Sequence, residues 1–407
     1  MKSLLHYLYS VYDLGTKIKK LKDKRSNPKI ATAAIAFSVI LGFMLKIRSF
    51  NQLDDYLEYN DFKGLVPKKM RLPRIDAIRD SLKCFCLKSL QAMHSAIIRC
   101  SIQNKLVQNG TIDGYKVVAI DGVETFESTK KSCANCLTRV INKTAHYFHR
   151  FVVATFVGKD PHIIIGFKML NPKQDSSNKD EGEISAAKRL VLDLSKQFRR
   201  FADIIVYDAL ACNADWINFI RQQFKIHVVV RVKNKRLNIV KVANAAFKNR
   251  DADAIWENNS IKISVWEAII KMDGVADCVR YVKFLKKYKD SRTGKSMYSQ
   301  ICIVTTHMSI SLETLHKIAR ARWEIENNIF HQIKTEWHMD HCFIHDEIGL
   351  EAAFGFLVIA FNLMQLFFFR CIKNFRQRRL QQVEVVERII KELHGYNTHN
   401  VYVFDTS

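Results

Sequence analysis

Between residues 115 and 232 the chain alternates short apolar runs with helical stretches, and that order leaves few folds open. Tyr115 to Ile120 (YKVVAI), Phe151 to Val157, His162 to Met169, Ala202 to Val206 (ADIIV) and Ile226 to Val232 are short, apolar and bounded by turn residues, as buried strands are. Helical patterns over Ile184 to Phe201 and Ala214 to Gln223 separate the last three runs. Three strands, a helix, a strand, a helix and a strand predict a mixed α/β sheet. Two strands hand over to an acid, Asp121 before Gly122 and Asp208 after Tyr207, which puts two carboxylates at strand carboxyl ends. Taken singly, Asp121-Gly122 also reads as an ordinary turn closing the first strand.

The flanks differ from this core. Residues 1 to about 110 read as helical, with few breakers beyond Asn27-Pro28, Pro67 and Pro73. Residues 233 to 312 alternate in the strand manner (IKISVW, CVRYVKFL, QICIVT) between loops rich in Asp, Asn and Gly, as an inserted β-subdomain would. Helix resumes at Leu312 and runs to about His394. The expected divisions are an α-helical region 1–112, the first part of an α/β core 113–232, the insertion 233–312, and a helical remainder 313–407. Two apolar runs approach membrane length. Ile30 to Leu45 is short of the roughly 20 residues a span needs, and Ala352 to Phe369 encloses Asn362 and Gln365 before Arg370. Both are read as buried helices, with no membrane partner.

Charge selects the partner. The 64 Lys and Arg against 40 Asp and Glu give a net charge of +24, the balance of a protein that neutralises a polyanion, and nucleic acid leads. The first thirty residues carry eight Lys or Arg against Asp13 and Asp23, which would suit DNA or an anionic membrane surface. Ten scattered cysteines fit a reducing compartment, so a cytoplasmic, nucleoid-associated location is expected. KNKR (233 to 236) and KKYK (286 to 289) are candidates for holding DNA flanks, though such stretches are more often solvated surface.

RWEIENNIFHQIK, residues 322 to 334, concentrates function on one helix. In an α-helix Arg322, Glu326 and Lys334 fall within a sector of roughly 120°, while Ile325, Ile329 and Ile333 supply a buried face. Alone, this is a solvated, salt-bridged surface. With Asp121 and Asp208, Glu326 makes a set of three carboxylates from separate elements, the donors that hard cations such as Mg²⁺ take. Two ions about 3.5 to 4 Å apart can serve the attacking and leaving oxygens of a phosphodiester. Glu324 is the rival third carboxylate, turned about 200° from Glu326.

Three blocks, AIDGVETFES around Asp121, IVYDALACNADW around Asp208 and ARWEIENNIFHQIKTEWHMDHCF around Glu326, resemble the signatures of bacterial insertion-sequence DDE transposases. The resemblance is to the subgroup with an RNase H-like core and a β-rich insertion before the third acid, and it covers most of the chain. It implies Asp121, Asp208 and Glu326 as catalytic residues holding two Mg²⁺ or Mn²⁺ ions. It implies Arg322 and Lys334 as DNA-backbone contacts, although Ala319 replaces the usual Tyr, and Ile333 stands where the Lys is expected, with Lys334 one place later. Trp323 is expected either to stack on an unpaired base or to be buried. By the same resemblance the N-terminal helices would help recognise terminal inverted repeats, target DNA would be a second partner, and a homodimer would act on DNA by a cut-and-paste route. The alternative is a DNA-binding protein of the same fold that has lost catalysis. The presence of all three acids argues against it.

Cys133, Cys136, His146 and His149 form C-x2-C-x9-H-x2-H, soft donors at a spacing that can hold Zn²⁺, or else an ordinary hairpin with two thiols and two hydrogen-bonding histidines. His338, His341 and His345, with Asp340, make a second polar cluster, expected to position phosphates or pack the helix end rather than bind metal.

Overall fold

The computed structural model describes residues 1–58, 62–66, 70–172, 180–258, 261–290 and 292–395. Most of the long loop expected near residues 171 to 182, and the chain beyond 395, lie outside the described residues. The N-terminal region is helical: α1 (Lys2–Tyr12), α2 (Leu14–Lys19), α3 (Thr32–Met44), α4 (Phe50–Glu58), α5 (Ile75–Lys83) and α6 (Leu87–Gln103).

The core follows as β1 (Val117–Ser128), β2 (Leu137–Ile141), β3 (Thr144–Phe156), β4 (Ile164–Met169), α7 (Glu183–Gln197), β5 (Ile204–Tyr207), α8 (Ala214–Phe219) and β6 (His227–Arg231). Its strands lie in the order β4-β3-β1-β5-β6. β1 is antiparallel to β3 and parallel to β5, and β5 is parallel to β6. This is the expected RNase H-like arrangement. One expectation fails: β1 does not close at Asp121-Gly122 but continues to Ser128. The reason is its partner, because β3 offers a continuous antiparallel edge from Phe156 to Tyr147, with one register shift between Glu124 and Glu127.

Then come α9 (Asn238–Phe247), β7 (Ala254–Asn258), β8 (Ile261–Lys271), β9 (Cys278–Lys289) and β10 (Ser296–Thr305). The inserted strands extend the core sheet rather than forming one of their own: Ile303 to Thr305 of β10 pair with Val229 to Arg231 of β6. The contact covers a β6 edge that would otherwise present unpaired backbone groups. α9 was hidden from the strand-like reading of this region.

The remainder is α10 (Leu312–Glu324), a π-helical turn over Ile325–Phe330, α11 (His331–Thr335), α12 (Glu347–Cys371) and α13 (Gln382–Leu393). The helical tail is therefore interrupted between α11 and α12, where Trp337, Met339 and Ile344 are buried instead. α12 is long and apolar enough to cross a membrane, yet 94% of its most apolar stretch is buried inside the protein. α3, α5 and α6 pack against it, and Phe354 stacks on Phe151 of β3 at 4.0 Å. One of the two buried polar residues inside it has a clear role: Asn362 accepts from the Ile164 amide at 2.9 Å and donates to the Ile164 carbonyl at 2.8 Å. Its side chain thus acts as a strand neighbour for β4.

Candidate active site

The parallel ladder between β1 and β5 fixes the first two acids. Val117 pairs with Ile204, Val118 with Ile205 and Ala119 with Val206. Two residues further on, Asp121 falls level with Asp208 on strands spaced about 4.8 Å apart, and equal parity sends both side chains to one face. Asp121 is buried, at 9% exposure, inside β1 rather than at its end. Asp208 is half-buried just past β5, where its Oδ1 accepts the Leu210 amide at 2.9 Å.

Arg322 brings the third acid to this edge. Its Nη1 donates to Asp121 Oδ2 at 3.3 Å and to Glu326 Oε1 at 2.7 Å, so one guanidinium bridges β1 and the π-turn. Burial, reinforced by the Glu326 carboxyl alongside, pushes Asp121 up to about 7. Glu326 goes the other way: although burial opposes ionisation, Arg322 holds it below the usual carboxylate range. Arg322, expected at the DNA backbone, is turned onto these two carboxylates. At 3% exposure it is enclosed, because two carboxylates brought this close need a countercharge between them.

Sequence reasoning missed Arg231, at the end of β6. Its guanidinium lies 4.5 Å from the Trp323 ring centre, on which Arg322 also stacks at 5.2 Å. Burial and Arg322 lower the Arg231 pKa while Glu326 and Asp208 oppose them, so this cation is within electrostatic reach of both acids. Trp323 is half-buried, neither a core residue nor fully free. It lines a cleft of about 810 Å³ that Arg231, Lys286, Lys317, Arg320 and Asn327 also line. The signal in the sequence was the lone Arg within the apolar run Ile226 to Val232, the run that follows Asp208.

Glu324 turns away from the other acids. It accepts from the Gly158 amide at 2.8 Å and meets His162 Nε2 at 3.0 Å. Lys334 is half-buried on α11, past the π-turn, and no hydrogen bond or ion pair engages it among the described residues. A π-turn inserts one residue relative to α-helical winding. The sector calculated for an unbroken α-helix therefore does not apply, and position 334 is carried round toward the angle that 333 would otherwise take.

The four residues of C-x2-C-x9-H-x2-H do not assemble as a set. His146 pairs through Nδ1 with Glu127 instead. Cys133, Cys136 and His149 do come together, and His345 joins them, with all four donor atoms within 4.8 Å of one another. The second polar cluster is accordingly split, with His341 against the Phe343 ring at 5.0 Å.

The family model for the transposase DDE domain matches residues 143–363, more than half of the 407. The match includes Asp208 and Glu326 and begins downstream of Asp121. No curated protein matches the chain. The family implies an enzyme that cleaves and transfers DNA, and its members generally use divalent metal ions such as Mg²⁺. With an RNase H-like core and a match over more than half of its length, the chain belongs to the DDE transposase family.

Proposed function

We propose that this transposase frees the 3′-hydroxyl at the ends of a mobile element and joins it to target DNA by a cut-and-paste route, with Asp121, Asp208 and Glu326 as its acidic triad. The single strongest support is the Arg322 bridge between a buried Asp121 and Glu326, with Asp208 directly after the strand that pairs in parallel with β1. Carboxylate oxygens are hard donors, so a set of three acids suits Mg²⁺ or Mn²⁺ by its chemistry. When bound, a pair of such ions supplies Lewis-acid stabilisation to the attacking and leaving oxygens.

The chain's own groups bind and orient. Arg322 holds Asp121 and Glu326 in place and acts as a positioning residue. Arg231, Lys334 and the basic cleft offer cations to the phosphate backbone, and the exposed part of Trp323 offers a ring to an unpaired base. The N-terminal helices help recognise terminal inverted repeats, and two protomers hold two ends, wherever the chain meets its DNA.

On DNA carrying the element's ends, wild type nicks and joins strands only with Mg²⁺ or Mn²⁺. Asp121→Ala, Asp208→Ala and Glu326→Gln each lose about 100-fold or more of that activity and keep end binding. A wild-type chain that binds the ends but never cuts them with either metal is instead a DNA-binding protein of this fold.

A further inference from the structure

Cys133 and Cys136 sit in the loop between β1 and β2, His149 on β3, and His345 in the segment between α11 and α12. We propose that these four residues hold a structural Zn²⁺ ion. Tetrahedral zinc, with bonds of about 2.3 Å to sulfur and about 2.0 to 2.1 Å to nitrogen, puts S···S at about 3.8 Å and S···N at about 3.6 Å. The Sγ atoms of Cys133 and Cys136 are 3.6 Å apart. His149 Nε2 lies 3.4 Å from Cys133 Sγ and 3.3 Å from Cys136 Sγ, and His345 Nε2 lies 3.4 Å from Cys136 Sγ. These four distances are each within a few tenths of an ångström of the tetrahedral edge lengths, and every pair among the four donors lies within 4.8 Å.

The surroundings suit a closed structural site. The Cys133 amide donates to Cys136 Sγ at 3.3 Å, which stabilises a thiolate. Phe126 walls off both imidazoles, its ring 6.0 Å from that of His149 and 5.2 Å from that of His345. Four protein donors leave no open position for substrate, and two thiolates with two imidazoles select zinc over the hard cations of the acidic site.

The ion would join stretches far apart in the chain, with Cys136 and His345 separated by 209 residues. It would clamp the segment leaving α11 onto the β2–β3 hairpin and so fix the far end of the helix that carries Glu326.

The test is the metal content of the full-length chain, purified without a histidine tag and dialysed against metal-free buffer. The expected result is about one Zn²⁺ per chain, with Cys136→Ser and His345→Ala losing it and His146→Ala keeping it. Replacement by Co²⁺ is expected to give the visible absorption of a tetrahedral site with thiolate ligands. A folded wild type with less than about a tenth of an equivalent and no uptake of added Zn²⁺ overturns the inference. Zinc lost from His146→Ala but kept by His345→Ala overturns the ligand set. Should Cys136→Ser fail to fold, the wild-type content and the Co²⁺ spectrum still decide. No DNA or Mg²⁺ enters this measurement, so a zinc-free chain that cuts DNA sinks the zinc site alone, and a zinc-loaded chain that never cuts sinks the proposed reaction alone.

Discussion

A Cβ at position 122 would lie 2.3 Å from Glu183 Oε2 and 2.9 Å from Arg150 Nε, so the glycine after Asp121 is demanded by close approach and not by a turn. Glu183 is held there by Arg150 at 3.0 Å and by the Tyr207 hydroxyl at 2.8 Å, directly behind Asp121. Gly122→Ala is therefore expected to displace this buried carboxylate and cost about 2 kcal/mol, read as a lowered denaturation midpoint. Lys334→Ala is expected to weaken DNA binding evenly across sequences and to reduce the slope of log K against log salt by about 1. An unchanged slope would remove Lys334 from the backbone contacts. Asp121 and Asp208 could be nominated from the sequence because each follows directly on a short apolar run, a local property, although β1 continues past Asp121. Arg322 as a bridge and His345 as a neighbour of Cys136 could not, since each depends on which distant elements pack together.

At the scale of elements, α12 and β4 are coupled through one amide. Asn362→Leu keeps the apolar character of the helix but strands the buried Ile164 amide, an expected loss of about 2 kcal/mol by chemical denaturation. His94 of α6 joins the same network, with Nε2 3.0 Å from the Ile164 carbonyl and 3.1 Å from Asn362 Nδ2. Burial lowers its pKa to about 4. Below the ordinary histidine value of about 6.5 the unfolded chain takes up a proton that the folded chain refuses. Its contribution is thus complete above that value and is lost as pH falls toward about 4, with a slope of up to about 1.4 kcal/mol per pH unit. Comparing His94→Gln with wild type across this window should show that share of the slope disappear. Most strands and helices were legible from periodicity. The misplaced end of β1 and the unseen α9 were not, because a partner strand extends the former and the latter lies within a region of alternating polarity. The π-turn was not legible either, because buried isoleucines at 325, 329 and 333 suit an unbroken α-helix equally well.

Across the whole molecule, a single sheet carries both Asp121 and the insertion, and the cleft along α10 is walled on one side by β9 and β10 beside Trp323. A charge of +24 spread over this body favours a DNA partner, while the acids lie where the parallel strands and the π-turn meet. Composition revealed the partner's charge. It said nothing of the continuity between insertion and core, which rests on the three-residue pairing of β6 with β10. The central claim is that the carboxylate at 326, and not the one two residues earlier, completes the site with Asp121 and Asp208. The most direct measurement is Mg²⁺-dependent cutting of end-containing DNA by Glu326→Gln and Glu324→Gln side by side. The expected result is loss of cutting in Glu326→Gln with binding intact, and cutting within a few-fold of wild type in Glu324→Gln. Cutting that survives in Glu326→Gln and vanishes in a folded Glu324→Gln would contradict it.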